Sequence, residues 1–303
     1  MNIIIIVLIF VIVLFLYLHV FFHLKTSDDL EIYELTNIAK ERLEEICDLR
    51  QPIQLDFDTD QFGSLGHASI LQNFGSFDIK LRDVSIANSQ SELYLPISLD
   101  KGLTVLTEDK NKKFISENNH DFLEETSLIK EFKSNDEFLR PNMNAFTQYD
   151  IIMGSKDSIT PLRYENNYRN YFIALNGPVE IKLTPPKSGK YLHPINDYDN
   201  YEFRSPVNIW DTQPEYAIDF KKIKCLEITL VPGKILFIPA YWWYSFKFED
   251  TKTTVLSFKY RTYMNTVAIA PSLSLSILQK QNIKHEVIIK GQTVPSPSKT
   301  PLV

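Results

Sequence analysis

The first segment of the chain is apolar and carries no charged residue. Every residue of 3–22 except His19 is apolar or aromatic. About twenty such residues in a helix span about 30 Å, the thickness of a bilayer's hydrocarbon core. No Lys or Arg precedes the segment and no small-residue cleavage site follows it, although a cleaved signal peptide needs both. The pattern therefore predicts an uncleaved single-pass anchor, with residues 3–24 in the membrane.

The middle of the chain has the alternation that half-buried β-strands show. Apolar and polar residues alternate in residues 52–57, 179–184, 224–230 and 253–259. Pro and Gly turns separate these runs, and no helical pattern connects them. This arrangement predicts an antiparallel sandwich or barrel. Before it, residues 28–49 carry an apolar stripe at helical spacing, which predicts a helix.

These patterns divide the chain into five segments. The last one is rich in Ser, Pro, Lys and Thr, a composition typical of disorder. The segment before it has a helical pattern, and a homodimer through these C-terminal helices stays open. The predicted segments are a membrane anchor at 1–26, a helical neck with the N-terminal part of the body at 27–148, a β-rich core at 149–264, a helical segment at 265–290 and a disordered tail at 291–303.

Composition and charge exclude one class of function and indicate a compartment. The net charge is −6, and Lys and Arg are scattered among more numerous acids, so we expect no nucleic-acid binding. Two cysteines and the absence of an Asn-x-Ser/Thr site agree with a reducing compartment. Lys25 is the lysine closest to the apolar segment. We therefore expect the C-terminal domain to face the cytosol or a virion interior.

Two stretches of sequence resemble a known family. Residues 232–248 read PGKILFIPAYWWYSFKF, and residues 158–186 contain Thr-Pro, Gly and Pro-Pro at set spacings. Both are similar to the paired strands of cupin-like, JmjC-type hydroxylases related to the asparaginyl hydroxylase of the hypoxia factor. The similarity covers roughly residues 142–263, and more particularly it resembles cupin-like proteins encoded by large DNA viruses. The resemblance implies a mainly β fold, a double-stranded β-helix or jelly roll, with flanking helices and the N-terminal transmembrane helix.

In active members of that family, two histidines and one acid form a facial triad that binds Fe(II). The resemblance places the first histidine position at Arg163, the acid at Glu165 and the distal histidine at Tyr244. Counting back from Gly177 without a gap gives Tyr164 and Asn166 in place of the first two, which is no better a site. We therefore regard Arg163, Glu165 and Tyr244 as degenerate positions of a metal site.

The cosubstrate positions depart from the family as well. The lysine that binds the far carboxylate of 2-oxoglutarate in these relatives falls at Val179, whereas Thr160 still matches another cosubstrate contact. Arginine has no acceptor and stays protonated, and the phenol of Tyr244 has an ordinary pKa near 10. We therefore expect no catalytic residue, no bound metal and no cofactor.

Three interpretations of the triad positions stay open. Arg163, Glu165 and Tyr244 either form a metal-free polar plug, or each satisfies its own local partner, or Arg163 holds a small anion. The first prediction for function is accordingly a membrane-anchored binding or scaffolding pseudoenzyme with an unidentified protein partner. The alternatives are a structural component of a membrane and an active hydroxylase that uses Fe(II) and 2-oxoglutarate with an altered ligand set such as Glu165 with His193.

Several other residues of the family-like region are candidates for lining a pocket. Trp242 and Trp243 point in alternate directions on a strand, so at least one ring is buried and we expect packing before substrate contact. Arg169 and Tyr171 are pocket candidates by position alone. His193 is the single histidine between the two ligand strands, and it is the candidate replacement ligand.

Overall fold

The computed structural model describes residues 3–85 and 94–292, so the predicted tail beyond residue 292 lies outside the described residues. The first element is the helix α1, Ile3–Leu24. Its mean hydropathy is 3.3, and within the described residues it is the one helix long and apolar enough to cross a membrane. A signal sequence near an N-terminus has the same length and composition, so these properties identify a candidate span.

The segment after α1 differs from the predicted helix at residues 28–49. Strand β1, Tyr33–Leu35, pairs in parallel with β2, Ile53–Asp56, and the helix α2, Lys40–Cys47, connects them. The prediction was wrong for residues 28–39, because the alternation around Tyr33 fits a paired strand better than a helical turn. The predicted first strand at 52–57 is confirmed by β2.

Thirteen more strands follow in the described part of the chain, and every pairing between them is antiparallel. Their bounds are β3 Asp78–Asp83, β4 Leu95–Ser98, β5 Phe114–Ser116, β6 Asn144–Gly154, β7 Arg163–Tyr164, β8 Arg169–Leu175, β9 Val179–Thr184, β10 Ile195–Asp197, β11 Glu202–Arg204, β12 Leu226–Leu230, β13 Lys234–Phe237, β14 Trp243–Phe248 and β15 Thr254–Thr262.

Six short helices and one long helix, α9, accompany the strands. The α-helices are α3 His67–Phe74, α4 Leu99–Glu108, α5 His120–Glu125, α6 Ile129–Asn135, α7 Ala217–Phe220, α8 Tyr263–Ala268 and α9 Ala270–Gln292. Single 3-10 turns lie at Asp60–Leu65, Pro186–Tyr191 and Pro214–Tyr216. The strand β6 runs through residue 148, so the β-rich core begins before the predicted boundary at 149, and residues 27–148 contribute β1 to β5 to the same sheet.

The strands form two open sheets that the chain visits alternately. The larger sheet has the order β1-β2-β13-β8-β15-β6-β5-β3-β4, and the smaller has the order β10-β11-β7-β14-β9-β12. From β6 to β9 and again from β12 to β15, successive strands lie in opposite sheets. This alternation is the jelly-roll arrangement, which confirms the predicted mainly β fold with flanking helices.

The central strands of the nine-stranded sheet are buried on both faces. Ile152 of β6 packs with Phe246 of β14 in the core between the sheets, while the neighbouring Ile151 packs with Phe132 of α6 on the helical side. Adjacent strand residues point to opposite faces, so this sheet is the middle of three layers. Each fully buried Phe or Ile contributes about 1.5–3 kcal/mol relative to an exposed one.

Candidate functional site

The predicted triad positions meet at one end of the jelly roll. Tyr244 of β14 and Arg163 of β7 are direct partners in an antiparallel pair, and Cζ of Arg163 lies 5.8 Å from the centroid of the Tyr244 ring. The Tyr244 hydroxyl donates to Oε1 of Glu165 at 3.2 Å. The register of neighbouring strands therefore brings all three side chains together.

Arg163 and Glu165 border a cavity of about 520 Å³, here called the polar cavity, while Tyr244 lies behind them in the core between the sheets. Both sheets and the helix α9 contribute to its wall. Its charged lining residues are Glu117, Asp150, Arg163, Glu165, Glu202, Lys259, Arg261 and Lys280. A concave site with convergent polar groups is where a ligand is expected in such a fold.

The expected ion pair between Arg163 and Glu165 does not form. Arg163 instead contacts Oε2 of Glu117 at 2.6 Å and Oε1 of Glu202 at 3.6 Å. The same two acids contact Nη1 of Arg82 at 2.9 and 2.8 Å. The polar plug predicted from the sequence is corrected to a charge network, defined here as Arg82, Glu117, Arg163 and Glu202. Its members come from both sheets, since β3 carries Arg82 while β7 and β11 carry Arg163 and Glu202.

Electrostatics keeps Glu117 and the two arginines of the charge network ionised. Burial alone would raise the pKa of Glu117, but Arg163 and Arg82 lower it to about 2. Burial opposes the charge of Arg163 in the same way, and Glu117 overcomes this and raises the pKa of Arg163 well above its usual value. Two cations and two anions compensate one another, so the network is neutral and tightly paired.

Glu165 has partners of its own. Its Oε1 lies 2.6 Å from Nζ of Lys259 on β15, and the side-chain amide of Asn167 donates to Oε2 at 3.3 Å. Burial and the neighbouring Glu165 raise the pKa of Tyr244 well above its ordinary value, although Arg163 acts in the opposite direction. Tyr244 is therefore a neutral phenol that donates to a carboxylate held by an ammonium group.

These donors do not fit Fe(II). Among the side chains described in residues 3–85 and 94–281, no group of three His, Cys, Asp or Glu residues is arranged to hold a metal ion. Arg163 offers donors alone, Tyr244 keeps its proton, and a metal would have to displace Lys259 from Glu165. A ferrous site needs neutral imidazoles and an available carboxylate, so the chemistry at these positions opposes the ion.

The cosubstrate positions do not fit 2-oxoglutarate either. Val179 is fully buried in the core between the sheets. The Thr160 hydroxyl accepts the backbone N–H of Phe246 at 2.8 Å, and Thr160 lines a separate cavity of about 340 Å³. Val179 offers no charge or donor, and Thr160 faces a cavity other than the polar cavity, so neither residue contacts a dicarboxylate bound there.

The other pocket candidates lie away from the polar cavity. Trp242 packs in the core between the sheets and Trp243 in a separate cluster outside the smaller sheet. Tyr171 is buried, with its hydroxyl 3.5 Å from Sγ of Cys47. Arg169 is buried against Asp48 at 2.5 Å. None of the four lines the polar cavity, although Arg169 borders a cavity beside the end of α1 and Trp243 borders another one outside the smaller sheet.

His193 is also remote from the triad positions. Its Nε2 lies 3.2 Å from Oδ2 of Asp219, and its ring packs beside Tyr216 at the surface. It does not line the polar cavity with Glu165. The hypothesis of a replacement ligand at His193 is therefore not supported by its position.

Sequence reasoning missed several residues of the site. Arg82, Glu117 and Glu202 come from segments without a motif, and Arg82 and Glu202 are 120 positions apart. A signal was present for Lys259. It lies two residues after Ser257 and four after Val255 on β15, so it shares a strand face with them. The pairing of the acids had no local signature.

Arg261 is a further cation of the polar cavity. Its Nε donates to Oδ1 of Asn167 at 2.5 Å, and its guanidinium lies 4.5 Å from the ring centroid of Phe146 and 5.2 Å from that of Tyr201. Burial lowers the pKa of Arg261. Among the side chains described in residues 3–85 and 94–281, no carboxylate lies within salt-bridge distance of Arg261. Arg163 and Lys259 each contact a carboxylate, whereas Arg261 contacts an amide oxygen and two aromatic rings.

The alternating two-sheet fold, with a cavity where the triad positions meet, defines a jelly-roll protein of the cupin class. The cupin-like domain family matches residues 34–265, and the chain belongs to this family. The match extends the resemblance seen in the sequence, which began near residue 142, to include β1 to β5.

Known relatives agree with the family. HSPB1-associated protein 1 of Homo sapiens is 26% identical over 137 residues, which are 45% of this chain and 28% of that protein. The Rattus norvegicus protein of the same name is 25% identical over 137 residues, with the same coverage. JmjC domain-containing protein D of Dictyostelium discoideum is 30% identical over 95 residues, 31% of this chain and 21% of that protein. The matched part of this chain spans less than a third of each relative's length, and the predicted JmjC-type resemblance is confirmed.

Proposed function

We propose that this chain is a membrane-anchored cupin-like protein that binds a protein partner and does not catalyse hydroxylation. The observation that carries the proposal is the charge network with the Glu165–Lys259 pair. At the positions where the family holds iron, the charged side chains contact one another in ion pairs and are not available to a ligand. A metal or a 2-oxoglutarate carboxylate would have to break them.

The cost of breaking such pairs favours this proposal. Glu117 is 1% exposed and Arg82 is 5% exposed, so each charge is separated from water. Removing one partner from a buried pair costs about 3–5 kcal/mol, because the other charge stays buried and uncompensated. A ligand that disrupted the network would have to supply a similar free energy before any net binding.

The anchor in this proposal is α1. The helix is long enough for one span, and its apolar side chains from Ile3 to Leu18 are exposed on the domain's outside. We propose that the domain faces the cytosol, and the free Cys47 and Cys225 agree with a reducing compartment. Recovery of the full-length chain in the membrane fraction tests whether α1 is retained as an anchor. Loss of about 2–3 kDa from the N-terminus, the mass of a signal peptide, would contradict it.

A protein partner is the binding function that the polar cavity supports best. Two of the relatives carry names that associate them with a protein, HSPB1. In this chain the unpaired Arg261 sits between two aromatic rings at the cavity wall, and such a guanidinium fits a carboxylate. We propose that the partner places an acidic side chain against Arg261. The proposal does not assign HSPB1 as the partner of this chain.

One experiment tests the absence of catalysis. The full-length chain is purified in detergent micelles without oxygen, loaded with Fe(II), and supplied with 2-oxoglutarate and then oxygen. We expect iron far below one equivalent and no succinate above the level of a protein-free control. One equivalent of tightly bound iron together with succinate formation would overturn the proposal and restore the hydroxylase alternative.

A further inference from the structure

A second cavity lies where α1 meets the domain. It has a volume of about 510 Å³ and is here called the junction cavity. Leu18 and Phe22 of α1 form one wall, and Met143, Tyr263 and Met264 form another. The exposed lining is mainly apolar, although His19 and His23 of α1 also contribute to it, and charged residues such as Asp48 lie on the domain side and are paired.

The base of α1 is fixed to the domain around this cavity. The guanidinium of Arg50 lies between two rings, 5.2 Å from the centroid of Phe22 and 4.7 Å from that of Tyr168. His23 is buried against Tyr168 with ring centroids 4.8 Å apart. The last turns of α1 also pack along α8. The direction of the anchor relative to the domain is therefore set by side-chain packing.

This packing fixes the depth of α8 in a bilayer. The 22 residues of α1 give a length of about 33 Å, close to the hydrocarbon thickness of about 30 Å. Leu18 lies about 9 Å along the axis from the end of the helix at Leu24. Because α8 packs beside this part of α1, α8 lies at the boundary between acyl chains and headgroups.

The side chains of α8 and its neighbour suit that depth. Tyr263 is 59% exposed and Val267, one turn later on the same face, is 48% exposed. Met143 is 73% exposed, and the backbone N–H of Tyr263 donates to its carbonyl at 3.2 Å. Exposed apolar and aromatic groups are typical of residues that lie in a membrane interface.

We propose that Met143, Tyr263 and Val267 form a seat on which the domain rests in the lipid interface, with acyl chains filling the apolar side of the junction cavity. The inference rests on the anchor in the proposed function, and it adds a fixed orientation of the domain on the bilayer. A second copy of this chain is the competing occupant of the same face, since it includes the C-terminal helices.

The test is the depth of spin labels on the full-length chain in phosphatidylcholine nanodiscs. Labels are attached to Tyr263→Cys, Val267→Cys and Met143→Cys in a Cys225→Ser background, since Cys47 is buried. Two matched positions calibrate them: Val11→Cys in the middle of α1, and Leu95→Cys on β4, which is 62% exposed and three strands from β6. All five positions are exposed, so the substitutions leave the core unchanged.

We expect collision with oxygen, relative to a water-soluble nickel complex, to be at least threefold higher at the three seat positions than at Leu95. The inference is overturned if the seat positions match Leu95 while Val11 reports hydrocarbon, a result that leaves the anchor intact. It is also overturned if spin–spin broadening shows that the same seat label on two copies of the chain lies within about 20 Å, because the copies would then contact each other through this face. A water-like signal at Val11 would overturn the anchor itself.

Discussion

The polar cavity and the junction cavity are nearly equal in size, about 520 and 510 Å³, and opposite in chemistry. In the polar cavity, every lining carboxylate has a donor or a cation: Glu117 and Glu202 with Arg82, Glu165 with Lys259, and Asp150 with the backbone N–H groups of Asn118 and Asn119. In the junction cavity, the apolar residues beside α1 face one another across open space. The carboxylates of the first cavity are satisfied by the protein, whereas the exposed lining of the second is mainly apolar.

The difference shows why cavity size alone does not identify a ligand. Buried polar groups gain little from a ligand when the protein already supplies their partners. Exposed apolar groups gain from any contact that removes them from water, in proportion to the area covered. The polar cavity therefore favours a ligand for the unpaired Arg261, and the junction cavity favours lipid.

The largest expected effect comes from the centre of the charge network. Glu117→Gln leaves Arg82 and Arg163 without one of their shared acids, and we expect a loss of about 3–5 kcal/mol in the free energy of unfolding. Chemical denaturation of the full-length chain in micelles measures it. The matched control is Glu227→Gln, whose exposed pair with Lys182 at 2.9 Å should contribute less than about 1 kcal/mol. Equal effects of the two substitutions would contradict a buried network.

The pH dependence of stability sharpens the same point. Glu117 has a folded pKa of about 2, below its ordinary 4.5, so its contribution is complete above the unfolded value and is lost as pH falls toward 2. We expect the stability difference between the wild type and Glu117→Gln to shrink by about 3 kcal/mol across this range. Unfolding curves at a series of pH values measure the difference. A difference that is constant from about pH 6 to pH 2.5 would contradict the pairing of Glu117.

Restoring histidines tests the triad positions directly. Arg163→His with Tyr244→His supplies two imidazoles, but Lys259 still holds Glu165. Adding Lys259→Met frees that carboxylate, and we expect Fe(II) affinity to rise at least tenfold over the double variant, about 1.4 kcal/mol. Anaerobic titration calorimetry measures both, with Arg163→Gln and Tyr244→Phe as the control. If neither histidine variant binds iron, the placement of the metal positions is wrong.

The smallest expected effect concerns the seat on the bilayer. Val267→Asp places a charge at the lipid interface, and we expect it to lower the free energy of unfolding in nanodiscs by about 1 kcal/mol. Leu95→Asp is the control for an exposed apolar residue on another surface, with an expected change within about 0.5 kcal/mol. Denaturation of both variants in the same nanodiscs makes the comparison, and a larger effect at Leu95 would contradict the seat.

Local patterns in the sequence predicted most of the fold. Alternation at Val179–Thr184 identified a strand because one face of β9 contacts the core. The convergence of Arg163 and Tyr244 followed from the resemblance to a paired-strand framework, and the antiparallel register realises it. These features depend on neighbours in sequence or on a motif, so they are visible before the structure is known.

The contacts that decide the chemistry of the site were not visible. Glu117 follows the short strand β5 in a segment without a motif, and it meets Arg163 because β5 and β7 lie in different sheets that face each other. The predicted Arg163–Glu165 pair was plausible from spacing alone. In the structure Arg163 contacts Glu117 and Glu165 contacts Lys259 instead. The positions of Glu117 and Lys259 depend on the tertiary arrangement of segments far apart in the chain.

Because α9 follows α8 directly, the position of α8 sets the distance between the polar cavity and the lipid surface. The helix α9 begins at Ala270, next to α8, and its residue Ile277 borders the polar cavity. Seven residues of helix cover about 10 Å, so a domain seated through α8 holds the rim of that cavity close above the headgroups. A partner anchored in the same bilayer reaches this rim by diffusing in two dimensions, at a fixed height above the headgroups. A partner that diffuses freely in solution must come within a protein's width of the lipid surface.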